Sequence, residues 1–267
     1  MTSSIPIAVR PPAVAGLFYP GEREELARTV AQLIDNTGAS PRAVPKALIA
    51  PHAGYIYSGP IAANAYALLA PARTLIKRVV LLGPTHRVAV RGLALPGATQ
   101  FATPLGTVEL DREAVALLRT IPHVVVSDAA HALEHSLEVQ LPFLQTVLAD
   151  FKLVPLAVGD VAAQHVAAVL DAVWGGPETL IVVSSDLSHY LNYREAQRAD
   201  RTTCDAILAL HTDIAHEQAC GATPVCGLTL AVQRRGLKPE LIDLRNSGDT
   251  AGDRSRVVGY AAFAFYA

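Results

Sequence analysis

LIVVSSDLSH, the stretch Leu180–His189, joins a short apolar run to a polar loop that holds an aspartate and a histidine. Consecutive Leu, Ile and Val side chains favour a strand that is buried on both faces, and such strands belong to parallel sheets covered by helices. Open α/β sheets bind their ligands just beyond the carboxyl ends of the strands. The stretch therefore predicts an α/β fold with a functional site at the strand ends.

Two more short apolar runs end in the same way. Ala47–Ala50 leads into a loop with His52, and Val79–Leu82 leads into a loop with His86. Helical patterns separate these strands, which is typical of a sheet with crossover helices. Because no linker or internal repeat interrupts the pattern, we expect residues 1–267 to form a single α/β domain. Its central sheet should be mostly parallel or mixed, with helices on both faces.

Three local predictions can be checked directly. A helix of small residues is expected at about Pro60–Leu69, with the proline in its first turn, where a missing N–H is tolerated. A second helix is expected over Ser136–Ala149, kinked at Pro142. His189 is expected in a loop that follows the strand Leu180–Val183.

The composition excludes several classes of protein. Hydrophobic residues make up 51% of the chain and charged residues 17%, with a mean hydropathy of +0.30. A membrane-spanning helix needs about 20 predominantly apolar residues in a row, and every apolar run is interrupted sooner. The N-terminal stretch Met1–Pro20 lacks a signal-peptide pattern, so we expect a cytoplasmic protein without a membrane partner. The net charge of −2 gives no indication of nucleic-acid binding.

Histidines at three strand ends define the candidate site. Parallel strands would bring His52, His86 and His189 to one edge of the sheet, and Asp186 lies on the same loop as His189. A carboxylate in that position is typical of a group that orients an imidazole. Such a cluster supports either a metal site or general acid–base catalysis, and the residue types favour a metal.

The remaining reactive residues have plainer interpretations. Glu134 and Ser136, which flank His135, are ordinary capping residues near a helix start. Cysteines are most often buried as small apolar residues. This interpretation applies at first to all three, which are Cys204, Cys220 and Cys226. The histidines outside the strand-end context are expected to be structural or on the surface; they are His123, His131, His165, His211 and His216.

Six segments resemble the Memo family, in order and over essentially the whole chain. They are RPPAVAG (10–16), PHAGYIYSG (51–59), LGPTH (82–86), EHSLEVQLP (134–142), VSSDLSH (183–189) and NSGD (246–249). The resemblance implies a fold like that of the class III extradiol dioxygenases, which are non-haem iron enzymes. It also implies three metal ligands, His52, His86 and Cys220, the last being a cysteine followed by Gly221 and, shortly after, Pro224. Cys226 does not align and keeps its interpretation as a core residue.

The resemblance implies further roles in the same pocket. Asp186 and His189 match a pair beside the metal, with His189 where the dioxygenases keep a catalytic base. His135 matches a further pocket histidine, which would hold a substrate oxygen. The dioxygenases use two histidines and a carboxylate, which suits Fe(II), whereas two imidazoles and a thiolate suit iron, copper or zinc. One metal ion is therefore expected, with iron(II) or copper ahead of zinc.

Three functions stay open. The leading hypothesis is a metal-dependent oxidoreductase in which His189, oriented by Asp186, transfers a proton. The second is a non-catalytic adaptor for a ligand or phosphopeptide, with Ser58-Gly59 as an anion site at the start of a helix. The third is a zinc-dependent hydrolase.

Partners follow from the resemblance as well. Prokaryotic members are called the B protein of the AmmeMemoRadiSam set, which implies a functional link to a radical-SAM protein and an Amme-type protein. The expected ligand of the pocket is a small-molecule substrate or a short peptide. The sequence identifies neither the substrate nor the oligomeric state.

Overall fold

The computed structural model describes residues 8–38 and 43–267, so the predicted domain is described except at residues 1–7 and 39–42. The strands of the described chain are β1 Val9–Arg10, β2 Ala47–Ala50, β3 Arg78–Pro84, β4 Leu93–Leu95, β5 Gln100–Thr103, β6 Gly106–Glu109, β7 Val124–Val126, β8 Lys152–Val158, β9 Thr179–Ser184, β10 His189–Leu191, β11 Lys238–Asn246 and β12 Val257–Tyr266. The α-helices are α1 Arg23–Asp35, α2 Tyr55–Ala67, α3 Arg112–Leu118, α4 Asp128–Ala132, α5 Leu141–Val147, α6 Ala163–Val173, α7 Tyr193–Leu208, α8 Ala222–Gln233 and α9 Ser247–Thr250. Short 3-10 helices cover Ala70–Ala72 and Glu138–Gln140.

The central sheet is mixed. Its strand order is β10-β12-β2-β9-β3-β8-β4-β7, and β11 also pairs with β12. The four inner strands β2, β9, β3 and β8 are parallel, whereas β12 runs antiparallel to β2 and β4 runs antiparallel to β8. The parallel part carries the short apolar runs that the sequence marked as strands, and all of these runs are buried.

Alternate residues of the inner strands enter two different apolar clusters. In β3, for example, Val79 and Leu81 pack with α1, α2 and α5, whereas Val80 and Leu82 pack with α3, α6, α7 and α8. Helices therefore cover both faces, and the predicted α/β fold class is confirmed. A sheet buried on two sides accounts for the high apolar content. In the part of the chain that the structure describes, none of the helices has the length and apolarity needed to cross a membrane.

A second, three-stranded sheet contains β1, near the N-terminus, and places it close to the loop with Glu134 and His135. It has the order β1-β5-β6 and contains part of the region between residues 88 and 110. Arg10 of β1 is buried and forms an ion pair with the buried Glu138, and its Nη2 donates to the carbonyl of Glu134 at 2.6 Å. Glu138 also accepts a hydrogen bond from the hydroxyl of Tyr19. This network holds the loop that carries Glu134 and His135.

Both expected helices are present with different bounds, and three details of the local predictions are wrong. The helix expected from Pro60 begins at Tyr55, because the carbonyl of Gly54 accepts hydrogen bonds from the next turn. The expected kink at Pro142 is absent from the described structure, since α5 begins at Leu141 and the proline lies in its first turn. His189 begins the short strand β10, which pairs antiparallel with β12.

Candidate metal centre

Three neighbouring parallel strands bring the candidate residues to one edge of the sheet. β2 and β3 both pair with β9, so the loops after Ala50, Pro84 and Ser184 emerge side by side. The ring centroids of His52 and His86 lie 5.2 Å apart. The strand-end arrangement that the sequence predicted is therefore present for these two histidines.

Cys220 completes a group of three donors with His52 and His86. The ligand atoms of the three residues all lie within 4.8 Å of one another, and Cys220 Sγ is 3.2 Å from His52 Nε2. The cysteine directly precedes α8. A Cβ atom on Gly221 would lie 2.8 Å from the carbonyl oxygen of Ser184, so the glycine permits this close approach. The structure thus joins the three residues that the family resemblance names as ligands.

Cys226 has a different environment. Its side chain is buried inside α8 among the residues of the core, and its Sγ lies 3.8 Å from the carbonyl oxygen of Ile214. Cys204 is buried in the same cluster. The packing therefore agrees with the interpretation of Cys204 and Cys226 as buried core residues.

Hydrogen bonding fixes the tautomer of His52. Ser184 Oγ lies 2.6 Å from the carbonyl oxygen of Ser136 and must donate to it, because a carbonyl has no proton. Gln140 Nε2 donates to the same Oγ at 2.8 Å, and His52 Nδ1 also lies 2.8 Å away. With its only proton used, Ser184 can only accept from Nδ1–H. His52 Nε2 therefore carries the lone pair that faces Cys220.

Glu134 fixes the tautomer of His86 in the same way. Its Oε1 lies 2.9 Å from His86 Nδ1 and accepts from the backbone N–H of Ser136 at 2.8 Å, while its Oε2 accepts from the backbone N–H of His86 at 2.6 Å. Burial alone would raise the pKa of Glu134, but its hydrogen bonds with His86 and Ser136 lower it to about 2. The carboxylate accepts a hydrogen bond from Nδ1–H of His86 and leaves Nε2 available as a ligand atom.

Glu134, His86 and His135 also form a compact group of potential ligands. However, both oxygens of Glu134 already accept hydrogen bonds, and its side chain is 1% exposed. We therefore assign Glu134 to positioning and not to coordination. The sequence offered a plainer interpretation of this residue as a helix cap, because the contact with His86 spans 48 positions of the chain.

The carboxylate of Asp186 lies beside His52 at the candidate metal centre and does not orient His189. Its Oδ1 accepts from the backbone N–H of His52 at 2.8 Å, and its Oδ2 is 3.9 Å from His52 Nε2. His189 Nδ1 instead donates to the carbonyl of Leu187 at 2.8 Å. The expected hydrogen bond between Asp186 and His189 is thus replaced by two others, because the short turn between them points the carboxylate toward His52.

The strand that carries His189 is tied to its neighbours through the backbone. The N–H of Leu187 donates to the carbonyl of Gly259, and the N–H of Gly259 donates to the carbonyl of Ser188, both at 2.8 Å. The N–H of Ser188 donates to Asp200 of α7 at 3.0 Å. His189 itself is exposed at the rim of the site.

His135 lies between the candidate ligands and an open cavity. Its ring stacks on that of His86 with centroids 4.5 Å apart and contacts the ring of Phe18 at 4.8 Å. The cavity has a volume of about 400 Å³ and is lined by His135, Asp186 and His189, with aromatic side chains around them. The three residues predicted to be catalytic therefore face one space.

Electrostatics in the centre favour neutral ligands. Burial holds the pKa of His52 well below its usual range, and the neighbouring rings of His135 and His86 lower it further. Burial lowers the pKa of His135 to about 4, although the Glu134 carboxylate opposes this. Burial, together with the nearby Asp186 carboxylate, raises the pKa of the Cys220 thiol to about 12. Two imidazoles and a buried thiol are a donor set that suits a soft or borderline metal ion, which would bind the thiol as its thiolate.

The anion site expected at Ser58-Gly59 is absent from the described structure. Ser58 is 2% exposed and lies within α2, where its hydroxyl donates to the carbonyl of Ala53 at 2.8 Å. Its backbone N–H donates to the carbonyl of Gly54 at 3.0 Å, so neither group is free for a ligand. The helix begins earlier than the sequence suggested, which removes the site.

Comparison with known proteins shows which family the chain resembles. The sequence pattern of the Memo-like protein family matches residues 10–264. A MEMO1 family protein of Aquifex aeolicus is 38% identical over 269 residues, covering 96% of this chain and 99% of that protein. A MEMO1 family protein of Methanopyrus kandleri is 37% identical over 280 residues, covering 96% of this chain and 98% of that protein.

A solved structure is also similar in outline. The crystal structure of an uncharacterized protein of Escherichia coli K12 aligns with a TM-score of 0.49 and 14% identity, covering 82% of this chain and 98% of that chain. The family is established by the sequence match, which includes all six residues of the candidate site. The chain belongs to the family of Memo-like proteins.

Proposed function

We propose that the protein is a metal-dependent oxidoreductase whose metal ion is held by His52, His86 and Cys220. One observation carries the proposal: a ring nitrogen of His52, a ring nitrogen of His86 and the buried thiol of Cys220 lie within 4.8 Å of one another, and the Nδ1 atoms of both rings have hydrogen-bond partners of their own. Such a preformed set of two nitrogens and one sulfur suits iron(II) or copper, with zinc as the third candidate. A bound iron or copper ion would supply the exchange of electrons with a substrate.

His189 is the proposed proton acceptor. Because its Nδ1–H donates to Leu187, its Nε2 is unprotonated and free to take a proton from a substrate in the cavity. His135 is neutral near pH 7, with a pKa of about 4, so one ring nitrogen can donate a hydrogen bond to a substrate oxygen. Asp186 contributes by fixing the backbone of His52.

The proposed substrate is a small molecule or a short peptide segment. A cavity of about 400 Å³ lies in the range of small-molecule sites. Phe18, Tyr57 and Tyr260 supply apolar walls, and the guanidinium of Arg256 lies over the ring of Tyr190 at the rim. A cytoplasmic location, the likeness to extradiol dioxygenases and the link to a radical-SAM and an Amme-type protein are part of the same proposal.

Zinc hydrolysis is the second candidate function. Two histidines and a cysteine also form catalytic zinc sites, in which a fourth position stays open. In that case the ion would activate water, and His189 would move its proton. The same residues would be needed, so only the metal and the reaction separate the two candidates.

The metal content of protein purified without oxygen tests the proposal. We expect about one equivalent of iron or copper, together with oxygen uptake by the Fe(II)-loaded protein that heat-denatured protein lacks. Purification in air should lower the metal content, because a thiolate ligand is readily oxidised. One equivalent of zinc without oxygen uptake would favour the hydrolase. Protein that binds none of these metals would contradict both candidates.

Replacing His189 tests the division of roles. His189→Ala should keep the metal and the thermal midpoint but lower oxygen uptake by about 10²–10⁴-fold, the usual contribution of a general base. His165→Ala, which changes a histidine outside the cavity, serves as the matched control. A His189→Ala protein that came out free of metal would show that His189 is a ligand.

A further inference from the structure

A second large cavity lies away from the candidate metal centre, between α7 and β11. It has a volume of about 780 Å³, compared with about 400 Å³ for the cavity beside the metal ligands. Arg194, Arg198 and Arg201 line it from α7, and Arg245 lines it from β11. Four guanidinium groups around one cavity are unusual in a chain whose net charge is −2.

Three of these arginines lack a compensating charge. Arg194, Arg198 and Arg201 recur every three or four residues and so share one face of α7. Within residues 8–38 and 43–267, no carboxylate lies within 4.0 Å of their guanidinium nitrogens, and none of the three donates a side-chain hydrogen bond. Like charges at this spacing repel each other and destabilise a helix. The arrangement therefore resembles a binding face more than an ordinary solvated one.

The fourth arginine and the acidic residues of the cavity are already engaged. Arg245 forms an ion pair with Asp243. Asp200 accepts from the backbone N–H of Ser188 at 3.0 Å, and Asp249 accepts from the hydroxyl of Tyr193 and, at 3.0 Å, from the backbone N–H of Asn246. These carboxylates are thus held by other partners, and the cavity keeps a positive surplus on its α7 side.

We propose that this cavity is a second ligand site, which binds a small anion carrying several phosphate groups. Guanidinium groups bind phosphate oxygens through paired, charge-assisted hydrogen bonds, and three of them along one helix match a chain of linked phosphates. The volume suits a ligand of nucleotide size. A concave, bounded cavity on an otherwise acidic chain favours a small molecule over a nucleic acid. The site shares no residue with the proposed metal centre and does not depend on its chemistry.

Calorimetric titration of the purified protein with inorganic triphosphate tests the site. We expect binding that weakens as the salt concentration rises. The double variant Arg198→Gln/Arg201→Gln should bind about 100-fold more weakly, because two charge-assisted contacts are lost. Parallel titrations with ATP and adenosine identify the recognised part: ATP should bind at least as tightly as triphosphate, and adenosine should not bind.

The matched control is Arg112→Gln/Arg119→Gln, at the start of α3 and just beyond its end. Both of these arginines are exposed, and the control removes the same net charge. It should leave triphosphate affinity within about twofold of the parent at moderate salt, where distant charges are screened. Equal thermal midpoints of the two variants would show that folding is intact. No binding to the parent, equal losses in both variants, or unchanged binding in Arg198→Gln/Arg201→Gln would overturn the proposal.

Discussion

His52 and His131 are both buried imidazoles, 2% and 1% exposed, yet they have different surroundings. Each ring has one nitrogen in a fixed hydrogen bond: Nδ1 of His52 with Ser184, and Nε2 of His131 with the carbonyl of Ala94, both at 2.8 Å. The other nitrogen of His52 faces the sulfur of Cys220. In the described structure, the other nitrogen of His131 is buried without a hydrogen-bond partner.

The difference shows why His52, and not His131, is a candidate metal ligand. A fixed tautomer and burial are common to both rings, so neither is sufficient. His52 differs because potential ligand atoms of His86 and Cys220 lie within 4.8 Å of its own. Among the described residues, His131 belongs to no group of potential ligands. Convergence of donors is therefore the decisive property, and the following predictions test it.

Removing the sulfur should have the largest effect. Cys220→Ser would leave His52 facing a poor ligand, and we expect metal affinity to fall by at least about 1000-fold, beyond the usual effect of losing an outer partner. Metal content after dialysis against a weak chelator measures this.

Cys226→Ser provides the control for that experiment, since its sulfur is packed in the core, 3.8 Å from the carbonyl oxygen of Ile214. It should keep a full equivalent of metal even if it unfolds at a lower temperature. Equal metal losses in the two variants would mean that the wrong cysteine is assigned.

His131 should affect stability and not metal binding. Burial lowers its pKa to about 4, so the unfolded chain binds a proton more readily than the folded one. Stability from this residue is complete above its unfolded pKa of about 6.5 and is lost as the pH falls toward 4, by about 3 kcal/mol in all.

His131→Gln cannot take up that proton and keeps an N–H donor for Ala94. Its free energy of unfolding, measured by urea titration of metal-free protein, should fall less steeply than that of the parent between pH 6.5 and pH 4. Its metal affinity should not change. The same pH dependence in variant and parent would show that His131 does not titrate as described.

Ser184→Ala should have a smaller effect on metal affinity than loss of the thiol. It removes the acceptor that holds Nδ1 of His52, and losing such an outer partner typically weakens metal binding by about 10–100-fold. Isothermal titration with the metal measures the change.

Ser58→Ala is the matched control for Ser184, because Ser58 is equally buried but its hydroxyl bonds only to the carbonyl of Ala53. It should change stability alone. An unaltered affinity in Ser184→Ala would mean that the tautomer of His52 is set by something other than this hydroxyl.

The sequence predicted the positions of His52 and His86 correctly because their signal is local. A buried strand followed at once by a polar loop is readable within about ten residues. The choice of Cys220 over Cys226 came from the family resemblance, since both cysteines flank the same proline and spacing alone does not separate them.

Contacts between distant residues were missed. The roles of Glu134 and Ser184 depend on partners 48 and 132 positions away, to which no local pattern points. The prediction for Asp186 failed because it relied on a local pattern. Asp186 is close to His189 in sequence, which suggested a contact, but its carboxylate bonds to the backbone of His52 instead. The arginines of α7 share a helix face, but their cavity requires β11, which is more than thirty positions later.

Asp200 of α7 approaches Gly259 of β12 closely. This contact helps to hold His189, whereas other elements hold His52 and Cys220. A Cβ atom on Gly259 would lie 2.0 Å from Asp200 Oδ2, so α7 sits directly against β12, whose Gly259 is hydrogen-bonded to Leu187 and Ser188. The backbone that carries His189 is therefore held by both β12 and α7, whereas His52 and Cys220 are held by the end of β9 and the loop after it. In the function proposed above, a shift of α7 and β12 would move the proposed proton acceptor relative to the candidate ligands. Substitutions at the contact of α7 with β12 should accordingly change the proposed oxygen uptake more than the metal content.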